Sequence, residues 1–556
     1  MRIANWPITG LMVTATLVLG CGDDKGTADS GMSSETAGEE ENESETETDP
    51  GAWEFDDVIG VINSDDDDET DKRDWQKVPF EADDDIVTWT MPAEVFAGFG
   101  EGDTVRMTLT GNDLDRIRWW HETGGGGIAL GHDVMEVHET YSFTPSGDVE
   151  NFLIEFDDYK KTYTITVEHL GADGSVVATY DVSAMSAPLI MNHHLQPAEH
   201  VWAVVVNSNP AFINSYYENL GANFSGVAGD SVGFDVWIQD EIEFATSTAP
   251  NGQRTEIIID SIRDRGLDNF PDQITEPDRF KQTWGNPGSE TTYDSFGNLE
   301  ASPPVTVDGV EYPFGRIYYG KTQFEGLNDI LANFLKDQTI QAPVEMDTSW
   351  LCVAHVDEFS SFVPDPSSPK GFKALMADVD SAWELLEAMD PATELPRYNS
   401  GHGFPTVGSI VNDPELRALN EEIMNDHMEP IIDQFKAEFG LTEDDIIRIP
   451  TLFEEVNGCG GRVVALMPGM VNLIVANFEG ETSKLFIPDP FLRTNDNDPA
   501  SDPLLNLFAD LMPEGNESIF VDNWQTYHLA LGEVHCGTNV TRTPIANWWE
   551  VGQHLL

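Results

Sequence analysis

From Trp53 to about Ala187 the apolar side chains return at every second position in short runs, and past about Pro188 that rhythm gives way to buried strands mixed with helical periodicity. The first rhythm is clear in Asp85–Thr90 (DIVTWT), Thr104–Leu109 (TVRMTL), Phe152–Phe156 (FLIEF) and Tyr163–Val167 (YTITV). A period of two puts alternate side chains on opposite faces, so each run fits a strand with one face buried.

Short alternating strands separated by polar turns predict an immunoglobulin-like β-sandwich over 53–187. Beyond it, Val201 to Val206 and Glu256 to Ile259 read as buried strands, and 328–338, 373–389, 413–439 and 503–512 carry helical periodicity. The expectation is a multidomain α+β chain whose second, larger domain spans 188–556. Its 556 residues exceed one core, and 14 Trp with 29 Phe supply apolar surface for more than one. The run Gly124–Gly127 opens no strand-to-helix unit and precedes no GK[ST], so it reads as a turn and not a phosphate loop.

The N-terminus has the form of an export signal: Arg2, an apolar run from Ile8 to Leu19, then Gly20-Cys21. A small residue and a cysteine after such a run resemble a lipobox, which makes 1–21 a lipoprotein signal and Cys21 its acylated residue. An ordinary secretory signal with an incidental cysteine is the alternative. Residues 22–52 are Gly, Asp, Glu, Ser and Thr with few apolar side chains, a composition that cannot offset chain entropy and reads as a disordered acidic linker. The expected location is the bacterial cell envelope or the exterior, with membrane contact only through lipid.

With 100 acidic against 28 basic residues, the formal charge is −72. That excludes nucleic acid as a partner, because phosphate binding needs clustered Lys and Arg. It favours cations such as calcium or arginine-rich polypeptides, and equally fits an acidic surface suited to a saline habitat.

Four cysteines occur: Cys21, Cys352, Cys459 and Cys536. With Cys21 lipidated, three remain, so at least one thiol is free. Cys352 reads as a small filler in a core strand and Cys459, in Asn457-Gly458-Cys459-Gly460-Gly461, as a loop thiol open to oxidation. Cys536 lies between glycines in Gly532-Glu533-Val534-His535-Cys536-Gly537, where a substrate could reach the backbone. Standing alone, such a cysteine is more often an inert buried thiol than a nucleophile.

Its company changes that reading. His355 and Asp357 are two apart in an apolar stretch, so a strand there would project both from one face. A strand through Val236–Glu243 would turn Asp240 to one face and Gln239, Glu241 and Glu243 to the other. A guanidinium is planar, cationic and rich in donors, so two carboxylates can clamp it while a thiolate attacks its central carbon and an imidazole moves the proton.

The blocks WIQDEIEF (237–244), IDSIRDRGL (259–267), DSFGNLEASPPVTVDGVEYPFGRI (294–317), VAHVDEFSSFVPDP (353–366), MPGMVNLIV and GEVHCGTNVTR (532–542) together resemble the peptidylarginine deiminases, calcium-dependent enzymes that convert arginine in proteins to citrulline. The resemblance implies an α/β propeller, the fold of guanidino-modifying enzymes, for the larger domain. It also implies Cys536 as nucleophile, His355 as general acid and base, Asp240 and Asp357 as guanidinium clamps, and Trp237 along the arginine side chain, with Arg263 and Arg265 as further substrate contacts.

For calcium the resemblance implies Gln239, Glu243, Glu300 and the carbonyls of Phe296 and Leu299 at one site, and Glu241, Asp260, Ser261 and Asp264 at another. Asp264 stands where the family usually has an amide. A further stretch in the β region offers Asn63, Asp65 and Asp67, with later acidic partners among Asp83, Asp84 and Asp85. Ala530, six residues before Cys536, stands where some members carry an arginine that grips the peptide backbone. The leading expectation is therefore peptidyl-arginine hydrolysis. Deimination of free arginine or another small guanidine, and a calcium-stabilised surface binding protein with a degenerate site, are the alternatives.

Overall fold

Five short sheets, each built on the same three-strand plan, carry the functional residues. The computed structural model describes residues 55–65, 73–76, 85–123, 127–128, 140–395, 397–495, 497–545 and 547–556. The signal segment with Cys21, the linker 22–52, Asp67, Asp83, Asp84 and Gly124–126 lie outside the described residues.

Residues 55–187 form two sheets. One has the order Val58–Gly60, Val176–Ser186, Thr162–Leu170, Thr104–Gly111, Thr140–Phe143; the other runs Val87–Met91, Glu150–Phe156, Ile117–Thr123, Gly127–Ile128. All their pairings are antiparallel except that of Val58–Gly60 with Val176–Ser186. The alternation read from sequence appears as alternating burial along Val87–Met91 and Thr162–Leu170. Trp89, Trp119, Phe152, Met107 and Ile165 share a core that continues through Leu189 and Met191 into Ile257, Phe280 and Leu331. The apolar core thus runs across the change of rhythm near Pro188, and residues 53–556 form one compact unit.

Of the seven sheets beyond it among the described residues, two are two-stranded, and in the other five a central strand pairs antiparallel on one side and parallel on the other. The central strands are Ala198–Val205, Arg254–Asp260, Ile317–Lys321, Phe372–Asp378 and Ser483–Pro488. Their antiparallel partners are Thr538–Arg542, Ile242–Thr248, Leu299–Ala301, Ser360–Pro364 and Ile474–Ala476. The parallel partners are Phe224–Ala228, Arg279–Thr283, Val344–Asp347, Ile446–Pro450 and Asn516–Val521. A parallel pair needs a crossover, and helices Pro210–Leu220, Asp329–Gln338, Val379–Ala388 and Pro503–Leu511 each lie in one. Because Ala198–Val205 pairs with Thr538–Arg542, the two ends of this region share a sheet.

Two helical expectations change. Residues 373–378 belong to a strand, Phe372–Asp378, whose Phe372 and Ala374–Ala377 are buried, and the helix begins only after Asp378 accepts from the Ser381 amide at 2.7 Å. A run buried on both faces has no preferred period, so the pattern extended the helix backwards. The long run over 413–439 is helix Pro414–Ile423, a wider turn Met424–Met428, and helix Glu429–Glu438 with Pro430 in its first turn. The missing amide of that proline is the local cause of the widened turn.

Candidate active site

Each of the five antiparallel strands is preceded by two or three residues that reach one place. Asp240 precedes Ile242–Thr248, Gly297 precedes Leu299–Ala301, Asp357 precedes Ser360–Pro364, Asn472 precedes Ile474–Ala476, and Cys536 precedes Thr538–Arg542. Trp237, Asp240, His355 and Cys536, with Thr292 and Ala530, line a cavity of about 360 Å³.

Neither the Asp240 nor the His355 segment is the strand expected. Asp240 sits in a helical turn, Ile238–Glu241, whose Gln239 amide donates to the carbonyl of Cys536 at 3.3 Å. That bond, with Ile238 fully buried, draws the chain into a turn before the strand starts. His355 and Asp357 flank the start of a short 3-10 turn, Val356–Glu358, in which the Glu358 carboxylate accepts from the His355 amide at 2.9 Å. Ala354, just before it, is buried with φ +69°, a left-handed conformation that a non-glycine residue holds only when its surroundings impose it.

The thiol of Cys536 lies 3.3 Å from Asp357 Oδ2, and Asn472 Nδ2 donates to Sγ at 3.3 Å. Asn472 also accepts from the His535 amide at 2.8 Å and donates to the Asp357 carbonyl at 3.2 Å, so one buried amide ties the Cys536 thiol to the Asp357 segment. His355 Nε2 lies 2.9 Å from the Thr292 carbonyl, which fixes a proton there and leaves Nδ1 facing Asp240 Oδ1 at 3.8 Å. A Cβ on Gly297 would stand 2.7 Å from His355 Nδ1 and 3.0 Å from Asp357 Oδ2, so only glycine lets these two side chains approach.

Burial sets the electrostatics. It pushes the Cys536 thiol well up, with the charges of Asp357 and Asp240 adding to it. Burial also raises Asp240, opposed by Arg263 and His355. At Asp357 burial is outweighed by the hydrogen bond from His535 and the charges of His535 and His355, which hold this carboxyl below the usual range. The cavity therefore offers a buried acceptor, Asp240 Oδ1, to a cationic guest, and behind the thiol Asp357 Oδ1 is likewise without a hydrogen-bond partner.

Gln239, Glu243 and Glu300 border one small cavity: Gln239 Nε2 donates to Glu243 Oε1 and to the Phe296 carbonyl, and Leu299 opens the strand that carries Glu300. Burial holds Glu300 up at about 8 and pushes Glu243 well above the ordinary range. On the other side Glu241, Asp260 and Ser261 are buried, with burial pushing Glu241 up to about 8 and Asp260 to about 6; Asp264 is exposed. Glu300 Oε1, Glu241 Oε1 and Asp260 Oδ1 lack hydrogen-bond partners. Crowded, buried, unsatisfied oxygens are what a hard divalent cation fits.

Arg263 and Arg265 differ. Arg265 is exposed at the rim, 3.6 Å from Asp240, while Arg263 is buried and lies 3.4 Å from both Asp240 and Glu241. Asn63 and Asp65 are buried in the β region, where Asn63 donates to Glu155 at 2.9 Å, and Asp85 accepts from Thr255 at 3.2 Å.

Cys352 and Cys459 are not filler and loose thiol but a disulfide, 107 residues apart in sequence, and Cys536 is free. Cys352 lies in a bend whose amide donates to the Val463 carbonyl at 2.8 Å, which brings the Cys459 loop alongside it. Sequence reasoning also passed over Asn472, Gly297, His194 and His535. Asn472 lies inside the quoted MPGMVNLIV block, yet nothing in that pattern marks an asparagine as a contact of the nucleophile.

The family model described as protein-arginine deiminase (PAD) matches residues 176–550. Human protein-arginine deiminase type-4 is 31% identical over 513 residues, which cover 84% of this chain and 73% of that protein. Human type-1 is 35% identical over 406 residues, covering 67% of this chain and 57% of that protein, and human type-3 is 32% identical over 448 residues, covering 73% and 63%. The chain thus spans from about three fifths to three quarters of these relatives' length. With more than half its residues matched, on the sheets that converge at Cys536, the chain belongs to the protein-arginine deiminase family, hydrolases that act on a guanidinium C–N bond.

Proposed function

We propose that this chain hydrolyses peptidyl-arginine to peptidyl-citrulline and ammonia in a calcium-dependent reaction. The observation that carries the reading is the placing of Cys536, His355 and Asp240 on one cavity, with Asp357 3.3 Å from the thiol. A guanidinium entering between Asp240 and Asp357 supplies the positive charge these buried carboxylates lack. The same charge favours the Cys536 thiolate, which burial otherwise opposes. The thiol proton passes to His355 Nδ1, Sγ attacks the guanidinium carbon, the C–N bond breaks, and the leaving ammonia takes that proton from the imidazolium, which keeps its Nε2 proton on the Thr292 carbonyl. Water then gives a proton back to His355 while its oxygen attacks the thiouronium carbon, and the C–S bond breaks to release citrulline and the thiolate.

Gln239, Glu243, Glu300, Phe296 and Leu299 on one side, and Glu241, Asp260, Ser261 and Asp264 on the other, would hold calcium. When bound, calcium supplies charge that lets these carboxyls ionise in place. Because Gln239 and Glu241 flank Asp240 in one helical turn, ordering them orders the clamp. Asn63 and Asp65, with Asp67, are proposed as ligands of a further calcium in the β region.

The repeated three-strand sheets support reading 188–556 as an α/β propeller, and the two stacked sheets support an immunoglobulin-like domain over 53–187. A disulfide belongs with an oxidising compartment, which supports export and, with Cys21, a lipid anchor. Trp237 at the cavity and exposed Arg265 at its rim suit an arginine whose own backbone stays outside.

Citrulline release from a blocked arginine peptide and from free arginine, each with calcium and with chelator, tests the reading, with Cys536→Ala as the blank. Calcium-dependent turnover of the peptide is expected. Turnover of free arginine alone would make the chain a small-guanidine deiminase, and turnover of neither would leave a surface binding protein.

A further inference from the structure

Gln239, Glu243 and Glu300 border a cavity of about 30 Å³, and two imidazoles border it as well. His194 Nε2 lies 2.7 Å from Glu300 Oε2, and His535 Nε2 lies 3.3 Å from Glu300 Oε1. One ligating atom from each of the three side chains falls within 4.8 Å of the other two. Their side-chain exposures are 13%, 6% and 4% for His194, His535 and Glu300, so water does not satisfy them freely.

The far ring nitrogens are both engaged. His535 Nδ1 lies 3.0 Å from Asp357 Oδ2, and His194 Nδ1 lies 3.4 Å from Ser361 Oγ. An ionised carboxylate only accepts, so the His535 proton sits on Nδ1 and its Nε2 presents a lone pair to Glu300 Oε1. That oxygen has no hydrogen-bond partner. At 3.3 Å these two atoms hold either a proton or a cation between them, so the position can take a cation in place of a proton. A carboxylate behind an imidazole is also how proteins orient a metal-ligating histidine. Arg542 borders the cavity, but its guanidinium is directed at the Gln196 and Val475 carbonyls, both at 2.9 Å, and at Asn477 Oδ1 at 3.1 Å. It tempers the charge of Glu243 and Glu300 without filling the space between Glu300 and the imidazoles.

We propose that His194, Glu300 and His535 form a binding site for a zinc-class divalent cation. Two imidazole nitrogens and one carboxylate oxygen are the donors such cations take, leaving a fourth position for water or Glu243, whereas calcium prefers oxygen throughout. Glu300 also belongs to the calcium set, so the two cations exclude one another. On the deimination reading, a zinc-class ion here inhibits: it withholds Glu300 from calcium and locks the His535–Asp357 pair beside the nucleophile.

The test is direct binding to the full chain in a Cys536→Ala background, which removes the competing thiolate and any turnover. Zn²⁺ is titrated against a chromophoric chelator, and Co²⁺ serves as the spectroscopic probe. One equivalent of tightly bound Zn²⁺ is expected, displaced by excess calcium, with a visible Co²⁺ spectrum of four-coordinate nitrogen and oxygen ligation. His194→Gln should weaken binding about 100-fold or more and abolish that spectrum, with circular dichroism reporting that the variant folds. No tight equivalent in the parent, a six-coordinate Co²⁺ spectrum, or undiminished affinity in a folded His194→Gln would each overturn the proposal. Because this protein cannot turn over, such a failure is separate from failure of citrulline release.

Discussion

Gln239 and Glu241 leave one helical turn for two different acidic pockets, and the protein puts a different kind of nitrogen group beside each. Glu241 has a guanidinium: Arg263 lies 3.4 Å from it, 3.4 Å from Asp240 and 3.7 Å from Asp235. Glu300 has imidazoles, of which His194 is held down at about 3 by burial and by the charge of Arg542, so it is neutral. The outcome is nevertheless the same, with burial holding both Glu241 and Glu300 at about 8. Arg263 explains why, since its Nε and one terminal nitrogen have no hydrogen-bond partner and its contacts are long. A guanidinium held off geometry does not offset the desolvation of several carboxylates. Both pockets are therefore short of positive charge, one despite a guanidinium close to its carboxylates and the other because its guanidinium, Arg542, is turned to the Gln196 and Val475 carbonyls.

The largest expected effect of this shortage is on pH dependence without calcium. Glu241, Glu300 and Asp260, at about 8, 8 and 6, all lie above their unfolded values. Between an ordinary carboxyl pKa of about 4 and about 8 the native state thus holds more protons than the unfolded chain, so stability falls as pH rises through that window. For Glu241 alone the shift corresponds to an effect of about 5 kcal/mol. Urea unfolding in chelator should show midpoints dropping from pH 5 to pH 8, and saturating calcium should flatten the slope. A slope unchanged by calcium would mean that the metal does not enter these pockets.

A control outside both pockets comes next in size. Replacing Cys352 and Cys459 together by serine opens a loop of 107 residues and should cost about 4 kcal/mol. That loss should be the same with calcium and with chelator, as neither cysteine touches an acidic pocket. A calcium-dependent loss would show that the disulfide acts through the neighbouring His355 segment and its strained Ala354.

Arg263→Met separates the pockets themselves. In chelator it removes the buried cation shared by Glu241, Asp240 and Asp235, and the expected loss is about 2 kcal/mol, in the range for hydrogen bonds to charged groups. In calcium the loss should shrink, because the metal takes over Glu241. His194→Gln should show no such dependence on stability, since a neutral imidazole is exchanged for a neutral amide. Equal responses in the two variants would erase the distinction between a guanidinium beside one pocket and the neutral His194 imidazole beside the other.

What was legible in the sequence divides along similar physical lines. The sandwich strands were readable because one face of each is exposed, so a period of two survives in Val87–Met91 and Thr162–Leu170. The catalytic strands were harder, as Phe372–Asp378 is buried on both faces and carries no period. Of the site, Cys536, His355, Asp240 and Asp357 stood out through their blocks, and they do meet. Their backbone was misread as strand because long-range bonds, such as that from Gln239 to Cys536, set the turns there. Asn472 and His194 were invisible for a related reason: their partners are distant in sequence, as Asn472 is from Cys536 and His194 from Glu300. The Cys352–Cys459 pair was missed because two cysteines so far apart announce nothing until Val463 is seen beside Cys352.

The smallest effect concerns Asp264, the exposed member of the Glu241 set. It is exposed, unlike Glu241, Asp260 and Ser261, so its charge is largely screened by water. Asp264→Asn keeps an oxygen donor and removes one unit of that screened charge. Calcium affinity of the Glu241 pocket should fall by only about 0.5 kcal/mol, roughly twofold, at physiological salt. The change should grow at low ionic strength, where screening weakens. Isothermal titration at two salt concentrations measures it against Glu241→Gln, whose buried carboxyl should cost far more. A large, salt-independent loss in Asp264→Asn would show that the charge of this side chain, and not only an oxygen at its position, holds the ion, and the Glu241 pocket would then close around calcium by drawing in an exposed carboxylate.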